Sequence, residues 1–434
     1  MFAKLGAIVT HRTPRARLAS RLVSVACRTA VAALALVSVG CIDDSDAVDD
    51  GGDAITIGLL LPFTGSESAT ASNFERAALF ARDQVNAAGG VKGHRLRLLS
   101  VDTHSNVERA KESVDSLIAA GAVIVIGPES AEIAAAVKPI LDKVDVVFMS
   151  PFVGASDDKT VDCTKPWFRL APSASVFGEA LAKQAITDGY HRAGTFHSGG
   201  AYDEALHKAF ANRFTALKGE VVFQATMAPT AQSYATTLGH ALDAGAETML
   251  LAASPRSAAL AVNELGALTG HRPPWLLSPL LKTDLLLQNV APEVLEGSVG
   301  VTPTIFDDTN KFPTEFAERW SGDRPLEGAY FYYDALALSA FAIEKAALVD
   351  GELLPSEVRN AVFKVTGSVG EAGSWEAIGD ALERIRKLNR ANSPTIVFYK
   401  GVTGPMLLKR CGDRNFGKYT RWEVHDGEIQ DLTQ

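Results

Sequence analysis

The chain has 434 residues, 47% hydrophobic and 21% charged, with 36 Gly, 19 Pro and 4 Cys; this suits one large or two medium globular bodies and excludes disordered, collagen-like and disulfide-scaffold classes. The formal charge is −9, yet residues 1–40 carry six basic side chains (Lys4, Arg12, Arg15, Arg17, Arg21, Arg28) and no acid, so the remainder is more acidic than the total. An acidic body without a basic stripe repels phosphate backbones, which argues against a nucleic-acid partner.

After the basic start comes an apolar run from Thr29 to Gly40, shorter than the roughly 20 residues needed to cross a bilayer. Residues 1–40 therefore read as an export signal. Small residues before Cys41 suggest a lipoprotein processing site, with Cys41 as the acylated first residue of the mature chain. Ser38 stands where such signals usually carry Leu, and the alternative is an ordinary signal peptidase site nearby with Cys41 incidental. The stretch IDDSDAVDDGGDA then holds six aspartates and nothing large to bury, so residues 41–54 read as a solvated acidic tether reaching at most about 40 Å. No second long apolar run follows, and attachment is expected by lipid alone. Cys27 leaves with the signal and Cys41 goes to lipid. Cys163 and Cys411 remain, a possible disulfide closing a loop of about 250 residues, nominally several kcal/mol; two separate thiols are the alternative.

From Ile55 short apolar runs alternate with amphipathic stretches. ITIGLLL (Ile55 to Leu61) predicts a buried strand. From Phe74 the spacing puts Phe74, Ala77, Ala78, Ala81 and Val85 on one helical face, which stops at Gly89 and Gly90. Strand RLRLLSVD, helix VERAKESVDSLIAAG, strand AVIVIG, helix IAAAVKPILDKV and strand VVFMSP continue the cycle. This rhythm demands a parallel sheet covered on both faces. A second round follows Arg169–Pro172, with predicted strands at RAGTFHS, VVFQATM, ETMLLAAS and PWLLSP separated by helices. Two rounds exceed one doubly wound sheet, so two α/β lobes are expected. GSVGVTP (Gly297 to Pro303) is expected to return the chain to the first lobe, followed by helices at 312–320, 328–349 and 374–388. The end reads as strand-like pieces, TIVFYK and KYTRWEV, with a hairpin signal at Asp426-Gly427. The division is 55–171 plus 302–415 for one lobe and 172–301 plus 416–434 for the other. Ligands of open α/β sheets bind beyond the carboxyl ends of the strands, so such lobes suit hinge closure on a small molecule.

Catalytic signatures are missing from the sequence. There is no GxSxG elbow, no GxxxxGK[ST] and no GxGxxG after a strand, and the histidines show no HExxH or HxH spacing. No metal and no cofactor is expected. His197, at the predicted carboxyl end of a strand, is the one histidine singled out, against the plainer reading of a solvated loop residue.

The strings IGLLLPFTG, NAAGGVKG, the strand ending Val101-Asp102, VIGP ending at Pro128, FMSP (Phe148 to Pro151) and FRLAPS (Phe168 to Ser173) together resemble extracytoplasmic solute receptors of the leucine/isoleucine/valine-binding type, collinearly from Ile55 to about Gly427. The resemblance implies two Rossmann-like lobes of the periplasmic binding protein type I class, joined by a multi-strand hinge, that present a solute to an ABC permease. Carried over residue by residue, the family's carboxylate-binding serine and threonine fall on Ala131 and Gly154, its acidic ammonium partner on Leu280, and its aromatics on Thr70 and Ser254; Tyr202 alone is kept. Ser130, one place away, is a substitute for the serine. Ions left unpaired in a closed cleft are costly, so the ligand is expected not to be a simple α-amino acid. Phe152, Val153 and Leu280 suggest an apolar wall. Glu129 reads either as a cleft residue preferring a cationic or hydroxylated solute, or as a cap for the helix that begins at Ser130 or Ala131.

The expectation is a non-enzymatic, lipid-anchored periplasmic receptor that delivers a small molecule to an ABC permease. A second reading is an envelope lipoprotein of the same fold acting through a protein partner. An esterase or amidase is a distant third.

Overall fold

The computed structural model describes residues 54–151, 163–228, 230–268, 273–303, 310–414 and 419–432. Residues 1–53, which hold the expected signal, Cys41 and nearly all of the expected tether, lie outside these, as do Phe152, Val153 and Gly154.

Five parallel strands form the first sheet: β1 (Ile55–Leu61), β2 (Leu96–Asp102), β3 (Ile124–Ile126), β4 (Val147–Ser150) and β5 (Trp167–Arg169), in the order β2-β1-β3-β4-β5. Their continuous apolar character follows from burial on both faces, since side chains alternate sides along a strand. Ile57, Leu59 and Leu61 of β1 join the core on one face, while Leu60 joins the core on the other. Ile124 and Ile126 against Val125, and Val147 and Met149 against Phe148, divide the same way.

The second sheet has seven strands: β6 (Arg192–His197), β7 (Glu220–Thr226), β8 (Thr248–Ala252), β9 (Trp275–Leu277), β10 (Val299–Pro303), and, at the end of the chain, β14 (Tyr419–His425) and β15 (Glu428–Leu432), ordered β15-β14-β10-β9-β8-β6-β7. A third, small sheet holds β11 (Glu371–Ser374), β12 (Val397–Gly401) and β13 (Gly404–Pro405), and its residues Val397 and Tyr399 share a core with the first sheet. The β14–β15 hairpin turns at Asp426 and Gly427, both with positive φ (52° and 77°), the backbone that an Asp-Gly pair favours.

Three expectations change. Val299–Pro303 is no return to the first lobe: it pairs parallel with β9 and antiparallel with β14, so the crossing follows Pro303 rather than residue 301. Ser374 ends β11 and caps a short 3-10 turn at Trp375–Ala377, and the α-helix begins only at Ile378, running to Arg390. The long helix is Glu327–Lys345, ending short of Val349. With these, the chain passes from first sheet to second, back, and to the second again.

Cys163 and Cys411 are joined by a disulfide with Cα atoms 4.4 Å apart. It ties the segment ending at Arg414 to the edge of the first sheet, where Arg169 N donates to Gly412 O (3.0 Å) and Arg169 Nε to Asp413 Oδ1 (2.6 Å).

The Glu327–Lys345 helix is buried continuously from Gly328 to Glu344, the signature of a core helix rather than an amphipathic one. Phe74 lies so close that a Cβ on Gly328 would fall 2.2 Å from its ring, so only glycine fits. In mid-helix it buries Asp334, whose carboxylate accepts from Tyr399 Oη (2.7 Å), Val402 N (2.8 Å), Thr403 N (2.9 Å) and Thr403 Oγ1 (2.5 Å). Arg414, behind Thr403, supplies the opposite charge; burial lowers its guanidinium to about 10 while Asp334 opposes that. Removing one member of such a buried network orphans the rest. Asp334→Ala is expected to lower the unfolding free energy by about 3–5 kcal/mol in urea denaturation; a loss below about 1 kcal/mol would mean that the network does not hold the helix in place.

Candidate functional site

Parallel strands present their carboxyl ends along one edge of a sheet, and loops leaving that edge converge. In the first sheet the loop after β1 carries Thr70, that after β3 carries Glu129, Ser130 and Ala131, and that after β4 leads to Phe152, Val153 and Gly154 outside the described residues. In the second sheet Tyr202 follows β6, Ser254 follows β8 and Leu280 follows β9. Each sequence-predicted position thus follows a strand's carboxyl end.

The turn after β3 depends on Gly127, whose φ is 101° and whose Cβ would lie 2.1 Å from the Leu60 carbonyl oxygen. It delivers Glu129 beside Thr70, whose hydroxyl lies 3.0 Å from Oε1 and 2.8 Å from Oε2. The helix Ala131–Lys143 is capped by Ser130, whose Oγ accepts from Ile133 N (3.4 Å), so Glu129 is not the cap. Glu67, Ala69, Thr70, Glu129 and Ser130 line an open pocket of about 320 Å³. Ala131 is half-buried as the first residue of that helix and does not line it. Burial pushes the Glu129 carboxyl up from 4.5 to about 7, with the Thr70 hydrogen bond opposing and the nearby Glu67 charge reinforcing the rise. Tyr332 of the long helix feels the Glu129 charge, stacks on Phe74 with ring centres 5.0 Å apart, and is 0% exposed with no partner for its hydroxyl among the described residues.

Tyr202 is half-buried in the first turn of the helix Ala201–Ala216. Burial raises its hydroxyl pKa, and the Glu327 and Asp203 charges add to the effect. Glu327 opens the long helix, and burial lifts its carboxyl from 4.5 to about 7 against the opposing charge of Lys282. Tyr202 follows β6 and Lys282 follows β9 of the second sheet, and the Lys282 ammonium pairs with Asp431 at 2.6 Å. Ser254 is exposed and its Oγ accepts from Ser257 N (3.4 Å) at the start of the helix Pro255–Leu268. Leu280 is 46% exposed, and the buried member of its turn is Leu281. Of the residues expected to form an apolar wall, Phe152 and Val153 lie outside the described residues.

His197 is half-buried and stacks on His207 at 4.7 Å between ring centres; burial lowers the pKa of both rings. Its Nδ1 accepts from Gly199 N (3.2 Å), and Ser198 Oγ donates to Asp203 Oδ2 (2.5 Å), so these groups shape the loop that presents Tyr202. Among the described residues one group, Glu296, His425 and Asp426, brings possible metal-ligand atoms within 4.8 Å of one another. All three are exposed, with Glu296 holding the His425 ring, which is a surface ion-pair cluster. Sequence reasoning missed Glu327, Tyr332, Lys282 and His207. The segment EGAYFYYD held the signal: tyrosines inside an apolar run need partners for their hydroxyls.

Residues 54–394 match the family model for periplasmic binding proteins. The chain belongs to the periplasmic binding protein family. This periplasmic binding protein is 25% identical over 157 residues to Leu/Ile/Val-binding protein homolog 3 of Brucella melitensis biotype 1, a match covering 36% of this chain and 42% of that relative, under half its length. Among solved structures it is similar to the branched-chain amino acid transporter substrate binding protein LivJ of Streptococcus pneumoniae in complex with isoleucine, at 17% identity, 87% of this chain, 98% of that chain and TM-score 0.68. It is also similar to a solute binding protein from R. palustris in complex with benzoate, at 19% identity, 88% and 96% coverage and TM-score 0.66. These likenesses establish the two-lobed type I fold. One neighbour holds an amino acid and the other an aromatic acid, so the fold by itself does not choose the guest.

Glu129 and Glu327 give a stability prediction with a definite sign. Both carboxyls titrate near 7 in the folded chain against about 4.5 unfolded, so the folded state holds protons that the unfolded state has released between those values. Stability of the unliganded protein is expected to fall as pH rises from about 4.5 to about 7, by roughly 3 kcal/mol or less per group. Glu129→Gln with Glu327→Gln should flatten that part of the profile in thermal unfolding, whereas an unchanged slope would refute the burial argument.

Proposed function

We propose that this chain is an extracytoplasmic solute receptor that closes two lobes on a small molecule and hands it to an ABC permease. Residues 1–40 serve as the export signal, Cys41 carries the lipid, and residues 41–54 hold the body off the periplasmic face of a membrane. One lobe takes 55–171 with the segment after Pro303 to about 415, and the other takes 172–303 with 416–434. Thr70, Glu129 and Ser130 bind from the first lobe, Phe152 to Gly154 complete that side, and Tyr202 closes from the second.

The observation that supports this reading is that the expected site residues follow the carboxyl ends of parallel strands in both sheets. The relative's Leu/Ile/Val-binding name supports transport of a small organic solute. Ala131 and Leu280 stand at the places where amino-acid-binding members anchor both ends of the zwitterion, which favours a guest other than a simple α-amino acid. The same two residues favour the second reading, a regulator working through a protein partner; recovery of a synthase or kinase instead of a permease in a pull-down would support it.

A thermal-shift survey of ligand-stripped protein across metabolite classes tests the receptor reading. At a hundredfold excess over Kd a true ligand adds about 2.7 kcal/mol of stability, a shift of several degrees. Tyr202→Ala should weaken that ligand about tenfold. No shift from any solute class would contradict the proposal.

A further inference from the structure

We infer that His197 and His207 form a proton switch for the loop after β6: a proton taken up at His197 Nδ1 breaks the bond that holds Ser198 to Gly200 in place and frees the helix turn that carries Tyr202. The switch stands on the loop geometry, and its effect on a guest rests on the receptor reading.

The Gly199 N–H donates to His197 Nδ1 over 3.2 Å, and a ring nitrogen that accepts carries no proton. The neutral ring therefore keeps its proton on Nε2. An imidazolium has donors at both nitrogens and accepts nothing, so protonation sets two N–H groups against each other and the loop has to move. The turn has little slack: Gly199 sits at φ 83°, and a Cβ there would lie 3.0 Å from the Thr226 methyl of β7. Ser198 N donates to the Ala252 carbonyl of β8 (2.9 Å), Gly200 N to Ser198 Oγ (3.2 Å), and Glu204 N to the Gly200 carbonyl (2.8 Å). A shift at Gly199 thus passes directly into the first turn of the helix Ala201–Ala216, where Tyr202 stands.

His207, 8% exposed, lies face to face with His197, ring centres 4.7 Å apart and planes 15° from parallel. Two charged rings at that distance repel, so the pair takes one proton before two, and half-buried His197 takes it ahead of His207. An acceptor for the new donor is close by. Asp203 is 7% exposed; its Oδ2 accepts from the Ser198 hydroxyl, and its Oδ1 has no partner among the described residues. The other charges acting on His197 are Glu204 and Lys208, which pair with each other at 2.6 Å. Burial lowers the pKa of both rings below 6.5, so the loop is locked at pH 7.5 and opens on acidification.

Hydrogen–deuterium exchange of the ligand-stripped full chain tests the switch between pH 7.5 and 4.5, read on the peptide holding residues 198–204 and corrected for the intrinsic pH dependence of exchange. Protection of that peptide is expected to fall about fivefold on acidification, the weight of one hydrogen bond. His197→Asn, whose side-chain carbonyl stands where Nδ1 stands and does not titrate, should keep its protection at both ends of the range. His207→Phe keeps the stacked ring and should retain the fall, because His197 still titrates. Ring-nitrogen NMR of the wild-type chain labelled with 15N-histidine needs no variant: His197 should show a bare Nδ1 at pH 7.5 and two protonated nitrogens at the acid end. Unchanged wild-type protection, a fall that persists in His197→Asn, or a proton on His197 Nδ1 at pH 7.5 each overturns the inference and leaves the receptor reading standing. A solute that binds should weaken over the same range in the wild type and not in His197→Asn. Binding by no solute at either pH contradicts the receptor reading, while exchange and NMR still decide the switch.

Discussion

A helix without a polar face must be covered on every side, and the Glu327–Lys345 helix imposes that requirement on the first half of the molecule. The helices Ala71–Ala87, Pro355–Lys364 and Ile378–Arg390 and the small sheet supply the cover. Gly328 lets the Phe74 ring approach to contact, and Asp334 is bonded to the backbone of residues 402 and 403, which fixes the helix along its axis. Its first turns, which carry Glu327, Tyr330 and Tyr332, are then fixed as well. Burial raises the pKa of all three, because neither carboxylate nor phenolate is solvated there.

The consequence is a cleft whose acidic groups lack full compensation within the protein. Glu129 has a threonine hydroxyl and another acid nearby, and Glu327 has Lys282 as its opposing charge. Asp334 shows the contrast: fully buried yet surrounded by donors and a guanidinium, it is a structural charge. Incomplete compensation lowers the stability of the empty protein and favours whatever guest completes the hydrogen bonds, the usual relation between a binding site and the fold that carries it.

Much of this was legible in the sequence because period and composition report burial directly. The continuous apolar strands of both rounds, the buried face Phe74, Ala77, Ala78, Ala81 and Val85, and the Asp426-Gly427 hairpin all follow from local rules that the tertiary structure does not override. The return crossing was misplaced because GSVGVTP is a strand with partners distant in sequence, and no local pattern says which sheet adopts it. Ser374 was read into a helix because a short strand of Glu, Ala, Gly and Ser has little β character of its own; its pairing with Val397 to Lys400 makes it a strand. Within the site, Thr70 and Glu129 are 59 residues apart, and their hydrogen bond follows from the adjacency of β1 and β3. Glu327 and Tyr332 escaped notice because an apolar helix hides its polar members until its neighbours are known.

The proposed receptor function requires the two sandwiched sheets to move together around a guest. Small-angle X-ray scattering of the same preparation, first stripped of ligand and then saturated with a solute that binds, measures this directly. Closure predicts a smaller radius of gyration and a narrower distance distribution on saturation. Superimposable curves, with binding shown to be complete, would contradict it.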